Sequence, residues 1–179
     1  CEGGFPGVVA QIAEAPIGTA HLLNLDLYGV TALRAGDVFS RLIAGCPRLR
    51  VLVVHNCDLE ALPEEPGTAC RELEELYAGG NNKLVGALPA SLGTLPKLRV
   101  LNLLYNPGLT ALPPDIAQLA QLDGTVDHGD GKDHYLALNG CRGLVAPPYS
   151  VGGCTGCIAP ANCSLESLPM MTLFAGAMH

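Results

Sequence analysis

Charged residues are scarce in this chain of 179 residues: they make up 15% of it, against a usual value of about 25%. Only ten residues are Lys or Arg, they are scattered along the chain, and the formal net charge is −7. Sequence-independent binding to nucleic-acid phosphates needs clustered basic residues. The composition therefore argues against a nucleic-acid partner.

Membrane and catalytic signals are also missing. No apolar run approaches the 18 or so residues of a membrane-spanning helix. The motifs GxSxG and HExxH and a Walker-type glycine loop do not occur. His55 and Glu75 are the nearest acid and base candidates, and such a pair alone defines neither a nucleophile nor an oxyanion site. We therefore predict a protein that is not an enzyme, with no cofactor and no membrane span.

A recurring leucine pattern is the dominant feature that is present. It is clearest from Leu98 to Pro113, which reads LxxLxLxxNxxLxxLP. The first ladder position falls at Leu22, Leu49, Leu73 and Leu98, with weaker matches at Asp133 and Thr155, and the spacings are 27, 24, 25, 35 and 22 residues. Most of these spacings lie in or near the range of about 20 to 29 residues that defines one class of solenoid repeat. The spacing of 35 marks an insertion at residues 122–132.

This pattern resembles the leucine-rich repeat family over residues 22–169. The segment from Leu84 to Leu98 is similar to the plant-type extracellular variant LxGxLPxxLGxLxxL, with Gly86 and Gly93 at the two glycine positions. No other repeat carries the full signature. The resemblance implies an α/β solenoid of about six repeats, with a curved parallel sheet on the concave face and short helical or irregular convex segments. It also implies a binding module, such as a receptor ectodomain or a secreted inhibitor.

Three parts of the chain follow from this pattern. Residues 1–21 are an N-terminal cap or the remnant of a preceding repeat, residues 22–169 form the solenoid with its insertion, and residues 170–179 are an apolar tail. Neither end carries the polar residues that normally cap a solenoid. We therefore expect the ends to be covered by more chain, by a partner, or by folding back as caps.

The concave face is the expected place for function. Strand residues alternate between the two faces of a sheet, and this alternation points the following residues outward: Asn24, Asp26, Tyr28, Arg50, Val53, His55, Glu75, Tyr77, Val100, Asn102, Leu104, Tyr135, Ala137 and Asn139. Tyrosine combines a large contact area with a hydrogen-bonding tip and is enriched at binding hot spots. We predict a protein or peptide ligand that contacts Asp26, Tyr28, His55, Tyr77, Asn102, Tyr105 and Tyr135. The alternative is a solvated sheet that binds nothing.

A second function class also fits the sequence. The chain would be a structural subunit of a larger extracellular or membrane-associated assembly, joined through its apolar ends at residues 5–12 and 170–174. Low charge and a positive mean hydropathy of +0.30 favour this class. The placement of the tyrosines favours the recognition module.

Eight cysteines divide by their place in the ladder. Cys46 and Cys70 each precede a first ladder position by three residues, in a column that faces the core. Equivalent residues of adjacent repeats are about 4.8 Å apart, within disulfide range, so a Cys46–Cys70 bridge and two buried free thiols are both possible. Cys57, Cys141 and Cys163 take the ladder position that Asn106 occupies, where a thiol donor can replace the amide.

The cluster of Cys141, Cys154, Cys157 and Cys163 favours a disulfide-stapled end of the solenoid. A zinc site and free thiols are the alternatives. Asn162 opens the sequon Asn-Cys-Ser and is a predicted glycosylation site. The chain begins with Cys1 and not Met, as a processed chain or a fragment would. These features together predict a secreted or cell-surface protein, with a lumenal compartment as the alternative.

The insertion and its border carry carboxylates and imidazoles on a glycine-rich stretch. They are Asp123, Asp127, His128, Asp130, Asp133 and His134. Such groups could ligate calcium or a transition metal, but the spacing fails the EF-hand pattern. We interpret the stretch as a mobile polar loop and predict no metal.

Overall fold

A parallel sheet organises the part of the chain that the computed structural model describes, which is residues 20–34, 36–119, 135–144 and 157–158. Within these ranges its six strands are β1 (Asn24–Asp26), β2 (Val51–Val53), β3 (Glu75–Tyr77), β5 (Val100–Asn102), β7 (Tyr135–Ala137) and β8 (Cys157–Ile158). They lie side by side in chain order. Parallel neighbours in chain order are what a repeat of one strand and one return segment produces.

The return segments lie behind this sheet. Two of them contain β4 (Val85–Ala87) and β6 (Gly108–Ala111), which pair as a second, two-stranded parallel sheet. The helices are α1 (Gly36–Ala44), α2 (Glu65–Thr68) and three 3-10 helices at Thr31–Arg34, Ala90–Thr94 and Pro114–Gln118. In α1, Phe39, Leu42 and Ile43 recur at helical spacing and are buried. No helix in the described ranges is both long and apolar enough to cross a membrane.

The ladder leucines form one continuous core between the sheet and the return segments. At the first, fourth and sixth ladder positions, Leu49, Leu52, Leu73, Leu76, Leu98, Leu101 and Leu103 are at most 1% exposed. Burying a leucine side chain stabilises the fold by about 1.5 to 3 kcal/mol. The predicted role of the leucine ladder is thus confirmed for these repeats.

Two buried asparagines tie neighbouring repeats together at the ninth ladder position. Asn81 Oδ1 accepts the N–H groups of Cys57 and Leu59 at 2.9 and 3.2 Å, and its Nδ2 donates to the carbonyls of Val54 and Ala78, each at 2.9 Å. Asn106 Oδ1 accepts the Asn81 N–H at 3.0 Å. These bonds satisfy backbone groups where the chain leaves the sheet, which buried polar groups require.

The two positions of the plant-type signature that hold glycine require it for different physical reasons. Gly86, in β4, has φ +82°, a left-handed conformation that side chains rarely adopt. Gly93 has a different role, because a Cβ atom there would lie 2.9 Å from the Cβ of Asp115. One glycine therefore serves a backbone conformation, and the other permits close packing of adjacent return segments.

The last described strand corrects the predicted register. Leu136 pairs with Cys157 and Ala137 with Ile158, one residue earlier than an alignment with Thr155 at the first ladder position predicts. A shift of one residue exchanges the two faces of a strand. The prediction based on Thr155 was wrong because the sequence there has no leucine to fix the register.

Candidate functional site

The outward residues of the parallel sheet form rows that run across the strands. We call this surface the open face and define it by ladder positions three, five and seven. The fifth-position row is Asp26, Val53, Tyr77, Asn102 and Ala137, which the strand register places side by side. Position seven of the same five repeats holds Tyr28, His55, Gly79, Leu104 and Asn139. The sheet therefore brings residues from distant parts of the sequence onto one surface.

A network of ionised groups lies at the start of the central strands. Arg99 is only 9% exposed; its Nε lies 3.5 Å from Glu74 Oε2, and its Nη2 pairs with Glu75 Oε1. Arg50 reaches the other oxygen of Glu74 at 3.7 Å. The Tyr77 hydroxyl donates to Glu75 Oε2 at 2.9 Å. Because Arg99 is largely buried, removing it would leave Glu74 only with Arg50 and Glu75 only with Tyr77 among these partners, in a partly dehydrated site.

Further ion pairs link the same repeats at the surface. Lys97 Nζ lies 2.5 Å from Glu72 Oε2, and Lys83 Nζ lies 2.7 Å from Asp58 Oδ2. The hydrogen bond from Lys97 and its charge lower the pKa of Glu72. Exposed pairs of this kind contribute little to stability. They do place opposite charges on neighbouring repeats.

An aromatic pair occupies the middle of the open face. The rings of His55 and Tyr77 are 5.8 Å apart between centroids and tilted by 50°, a separation typical of interacting aromatic rings. Gly79 makes room for this arrangement, since a Cβ atom there would lie 2.8 Å from His55 Nδ1. The hydroxyl bond to Glu75 holds the other end of Tyr77. Tyr77 is therefore fixed at both its ring and its tip.

The backbone at the eighth ladder position has a left-handed conformation in every repeat from the first to the fifth. Its φ values are +71° at Gly29, +54° at Asn56, +71° at Gly80, +56° at Tyr105 and +81° at Gly140. Glycine and asparagine adopt this conformation readily, whereas a bulky side chain there is an outlier. Tyr105 is therefore the single unfavourable residue of this row.

Tyr105 is also one of the most exposed apolar side chains of the described chain. It is 64% exposed, as is Tyr28. The Tyr105 N–H donates to the carbonyl of Asn139 at 2.6 Å, and its ring borders Gly140. Asn56 Nδ2 donates to the Tyr28 hydroxyl at 2.9 Å. Two oriented tyrosines thus border the open face where the strands end.

The side chains of Asp26 and Asn102 each accept a hydrogen bond from the backbone two residues further along the chain. Asp26 Oδ1 accepts the Tyr28 N–H at 2.9 Å, and Asn102 Oδ1 accepts the Leu104 N–H at 3.2 Å. Both contacts join fifth and seventh ladder positions, so the side chain continues the hydrogen bonding where the strand stops. Asp26 is exposed and Asn102 is half-buried, so both also keep some access to a ligand.

Several outward predictions need correction. The Arg50 side chain is exposed, as predicted, but Arg50 precedes β2, and Val51 takes the third ladder position of that repeat. Val100 is 0% exposed and Ala137 is 4% exposed, because short side chains among longer neighbours in a row lose access to solvent. Tyr135 lies in β7, where only its backbone is described.

His55 and Glu75 do not pair as an acid and a base. Glu75 binds Arg99 and Tyr77, and the Tyr77 ring contacts His55. Sequence reasoning missed the contribution of Arg99, Glu74, Asn56 and Gly79 to this site. Glutamate and arginine occupy corresponding places in adjacent repeats, and this was the signal in the sequence that could have predicted the ion pairs.

The Cys46–Cys70 bridge does not form. Both residues are fully buried thiols that are not joined in a disulfide, as the alternative interpretation had it. Cys46 Sγ donates to the Leu42 carbonyl at 3.2 Å, and Cys70 Sγ donates to the Cys46 carbonyl at 3.3 Å. Burial, together with the neighbouring Cys46, raises the pKa of Cys70 to about 12. The Cys70 thiol therefore stays protonated as a hydrogen-bond donor.

Cys57 and Cys141 replace asparagine in the ladder as predicted. Cys57 Sγ donates to the Leu27 carbonyl at 3.0 Å, and Cys141 Sγ donates to the Leu103 carbonyl at 2.9 Å. Burial raises the pKa of the Cys57 thiol, which keeps it a donor. The side chains of the other cysteines in the predicted disulfide-stapled cluster lie outside the described part of the structure. That prediction for Cys141 therefore stays a prediction.

Other predicted residues fall outside the described ranges. These are Cys154, Cys163, the sequon residue Asn162, the Asp and His residues of the insertion and its border, and the apolar segments at 5–12 and 170–174. Cys157 lies in β8, where only its backbone is described. The predictions for these residues remain predictions.

Comparison with known proteins gives no match to a protein-family model and none to a curated protein. Among solved structures, the chain is similar to the leucine-rich repeat protein LIC12759 of Leptospira interrogans, with 26% identity and a TM-score of 0.55. That match covers 81% of this chain, which spans 38% of the Leptospira protein.

A second similarity, to the leucine-rich repeat domain of the type III effector XopL, has 18% identity and a TM-score of 0.31. It covers 88% of this chain and 79% of that domain. The conclusion rests on the Leptospira structure, the sequential parallel strands and the buried ladder leucines. The chain has a leucine-rich repeat fold.

Proposed function

We propose that this protein is a non-catalytic recognition module that binds a protein or peptide ligand on the open face. The observation that carries the proposal is Tyr105. A bulky residue held at φ +56° stores backbone strain, and this residue is also 64% exposed. Strain of this kind persists where function needs it. A glycine or asparagine would serve the fold better, so a binding role accounts for the tyrosine.

Preorganisation of the open face supports the same proposal. Tyr77 is fixed by Glu75 and His55, and the Tyr28 hydroxyl accepts a bond from Asn56. A side chain that is already ordered loses less conformational entropy when a ligand binds. Tyrosines that are both ordered and accessible are suited to a protein or peptide surface.

We also propose, from the sequence, that the chain is of the plant-type extracellular class and is secreted or displayed at a cell surface. The support is the signature with Gly86 and Gly93, for each of which the fold supplies a physical reason. The buried thiols give this location no support, because they stabilise the fold in their reduced form.

The test is a comparison of variants in capturing a partner from the native source. Tyr77→Ala combined with Tyr105→Ala removes the ordered and the strained tyrosine. Val85→Ala is the matched control, because Val85 is 61% exposed but lies on β4 of the second sheet. We expect a stoichiometric partner that binds the wild-type protein and the Val85 variant at least about tenfold better than the double variant. Equal capture by all three proteins would contradict the proposal.

The alternative role, a structural subunit joined through the ends of the chain, rests on residues outside the described ranges. This alternative role is tested by measuring the native mass of the protein under non-denaturing conditions. A large stoichiometric particle that forms equally with the double tyrosine variant would favour the structural subunit. A species of 18.5 kDa that captures a partner through the open face would favour the recognition module.

A further inference from the structure

Within the described ranges, the turn after β7 lacks one hydrogen bond that its counterparts make in the four earlier repeats. In those repeats the N–H at the eighth ladder position donates to the seventh-position carbonyl of the next repeat, over 2.6 to 3.1 Å. In the turn after β7 the corresponding N–H is that of Gly140. None of the residues in the described ranges accepts a hydrogen bond from it. The Gly140 nitrogen is therefore available for another interaction.

The residue before Gly140 is Asn139, and its side-chain oxygen also lacks a hydrogen bond within the described chain. Its Oδ1 is buried without a hydrogen-bond partner. By contrast, the side chains of Asn56, Asn81, Asn102 and Asn106 are all held by hydrogen bonds. Asn139 and Gly140 are also the single Asn-Gly pair of the sequence. Glycine has no side chain to block the approach of its nitrogen to the preceding residue.

We propose that Asn139 is a site of spontaneous covalent modification in the folded protein. The backbone nitrogen of Gly140 attacks Cγ of Asn139 and loses its proton as the new N–Cγ bond forms. The Cγ–Nδ2 bond breaks, and ammonia leaves with that proton. Water then opens the five-membered imide at either carbonyl. The products are aspartate and isoaspartate at position 139, and no oxidant or reductant takes part.

The modification alters the surface beside Tyr105. The carbonyl of Asn139 accepts the Tyr105 N–H at 2.6 Å, and a Cβ atom on Gly140 would lie 2.8 Å from Tyr105 Cδ1. Isoaspartate adds a methylene group to the backbone between these two contacts. Either product also places a new carboxylate at the seventh position of the open face. The modified protein thus presents a changed binding edge, whichever ligand this face takes.

The experiment follows Asn139 in the purified chain during incubation in mildly alkaline buffer. Peptide mass spectrometry detects a gain of about 1 Da as the amide becomes a carboxylate. The same incubation in concentrated urea gives the rate for the unfolded chain. We expect the folded and unfolded rates at Asn139 to agree within about tenfold, because a free turn gives little protection. Asn81, held by four bonds, should be protected at least about a hundredfold.

Two variants complete the test. Asn139→Gln lengthens the side chain and should stop the reaction without altering the backbone. Asn139→Asp supplies the aspartate product directly. Comparing the NMR amide resonances of Tyr105 and Gly140 in this variant and in the incubated protein separates the effect of the new charge from the effect of the longer isoaspartate backbone. Protection of Asn139 by more than about a hundredfold on folding would overturn the proposal. Modification that leaves the Tyr105 resonance unmoved would overturn its consequence for the open face.

Discussion

Replacing Tyr105 with asparagine should stabilise the protein. A residue other than glycine at φ +56° carries a conformational cost of about 1 to 2 kcal/mol, and asparagine tolerates this region far better. Little burial is lost in exchange, because the tyrosine is 64% exposed. Asparagine also avoids the entropy that glycine would add to the unfolded chain. We expect the free energy of unfolding to rise by about 1 kcal/mol.

Tyr28 provides the matched control. It has the same exposure of 64% but is not among the residues with positive φ. Tyr28→Asn therefore relieves no strain and removes the acceptor of the Asn56 amide. We expect it to be neutral or slightly destabilising.

Urea unfolding followed by far-ultraviolet circular dichroism measures both variants. The midpoint should move upward for Tyr105→Asn at an unchanged m-value, since the surface exposed on unfolding hardly changes. A loss of about 1 kcal/mol or more on replacing Tyr105 would refute the reasoning. It would mean that the ring contributes more through contacts than the backbone loses through strain, and that the tyrosine needs no functional explanation.

Two further predictions concern the interior. Asn81→Ala leaves the N–H groups of Cys57 and Leu59 and the Val54 carbonyl without their Asn81 partner, while the Ala78 carbonyl keeps its bond from Asn106. The free energy of unfolding should therefore fall by about 3 kcal/mol in urea titration; the exposed Asn82→Ala should change little. Folding raises the pKa of the Cys70 thiol from its ordinary value of 9.0 to about 12. As pH rises, the thiol therefore loses its proton in the unfolded chain before it does so in the folded protein. The free energy of unfolding should fall as pH rises from 9 towards 12, and comparison with Cys70→Ala isolates this contribution. Alkylation of Cys70 in the folded protein as fast as in urea would contradict its burial.

Much of the open face could be predicted from sequence where leucines fix the register. Tyr28 and His55 follow such strands, and the structure places them as the period of two requires. The same reasoning failed at Cys157, where no leucine marks the ladder and the register is shifted by one residue. It also failed at Val100, since alternation gives the direction of a side chain but not what surrounds it.

The sequence by itself determined the fold, because the leucine spacing allows one arrangement that buries every ladder residue. It also determined that Cys57 and Cys141 enter the ladder. Only the tertiary structure decided that Arg99 bridges two glutamates and that Tyr77 is fixed between Glu75 and His55. The contacts of Arg99 with the glutamates and of Tyr77 with His55 join residues of different repeats that pack against one another. Which of the available partners a side chain takes depends on distances of a few ångströms, and these exist only once the repeats have stacked.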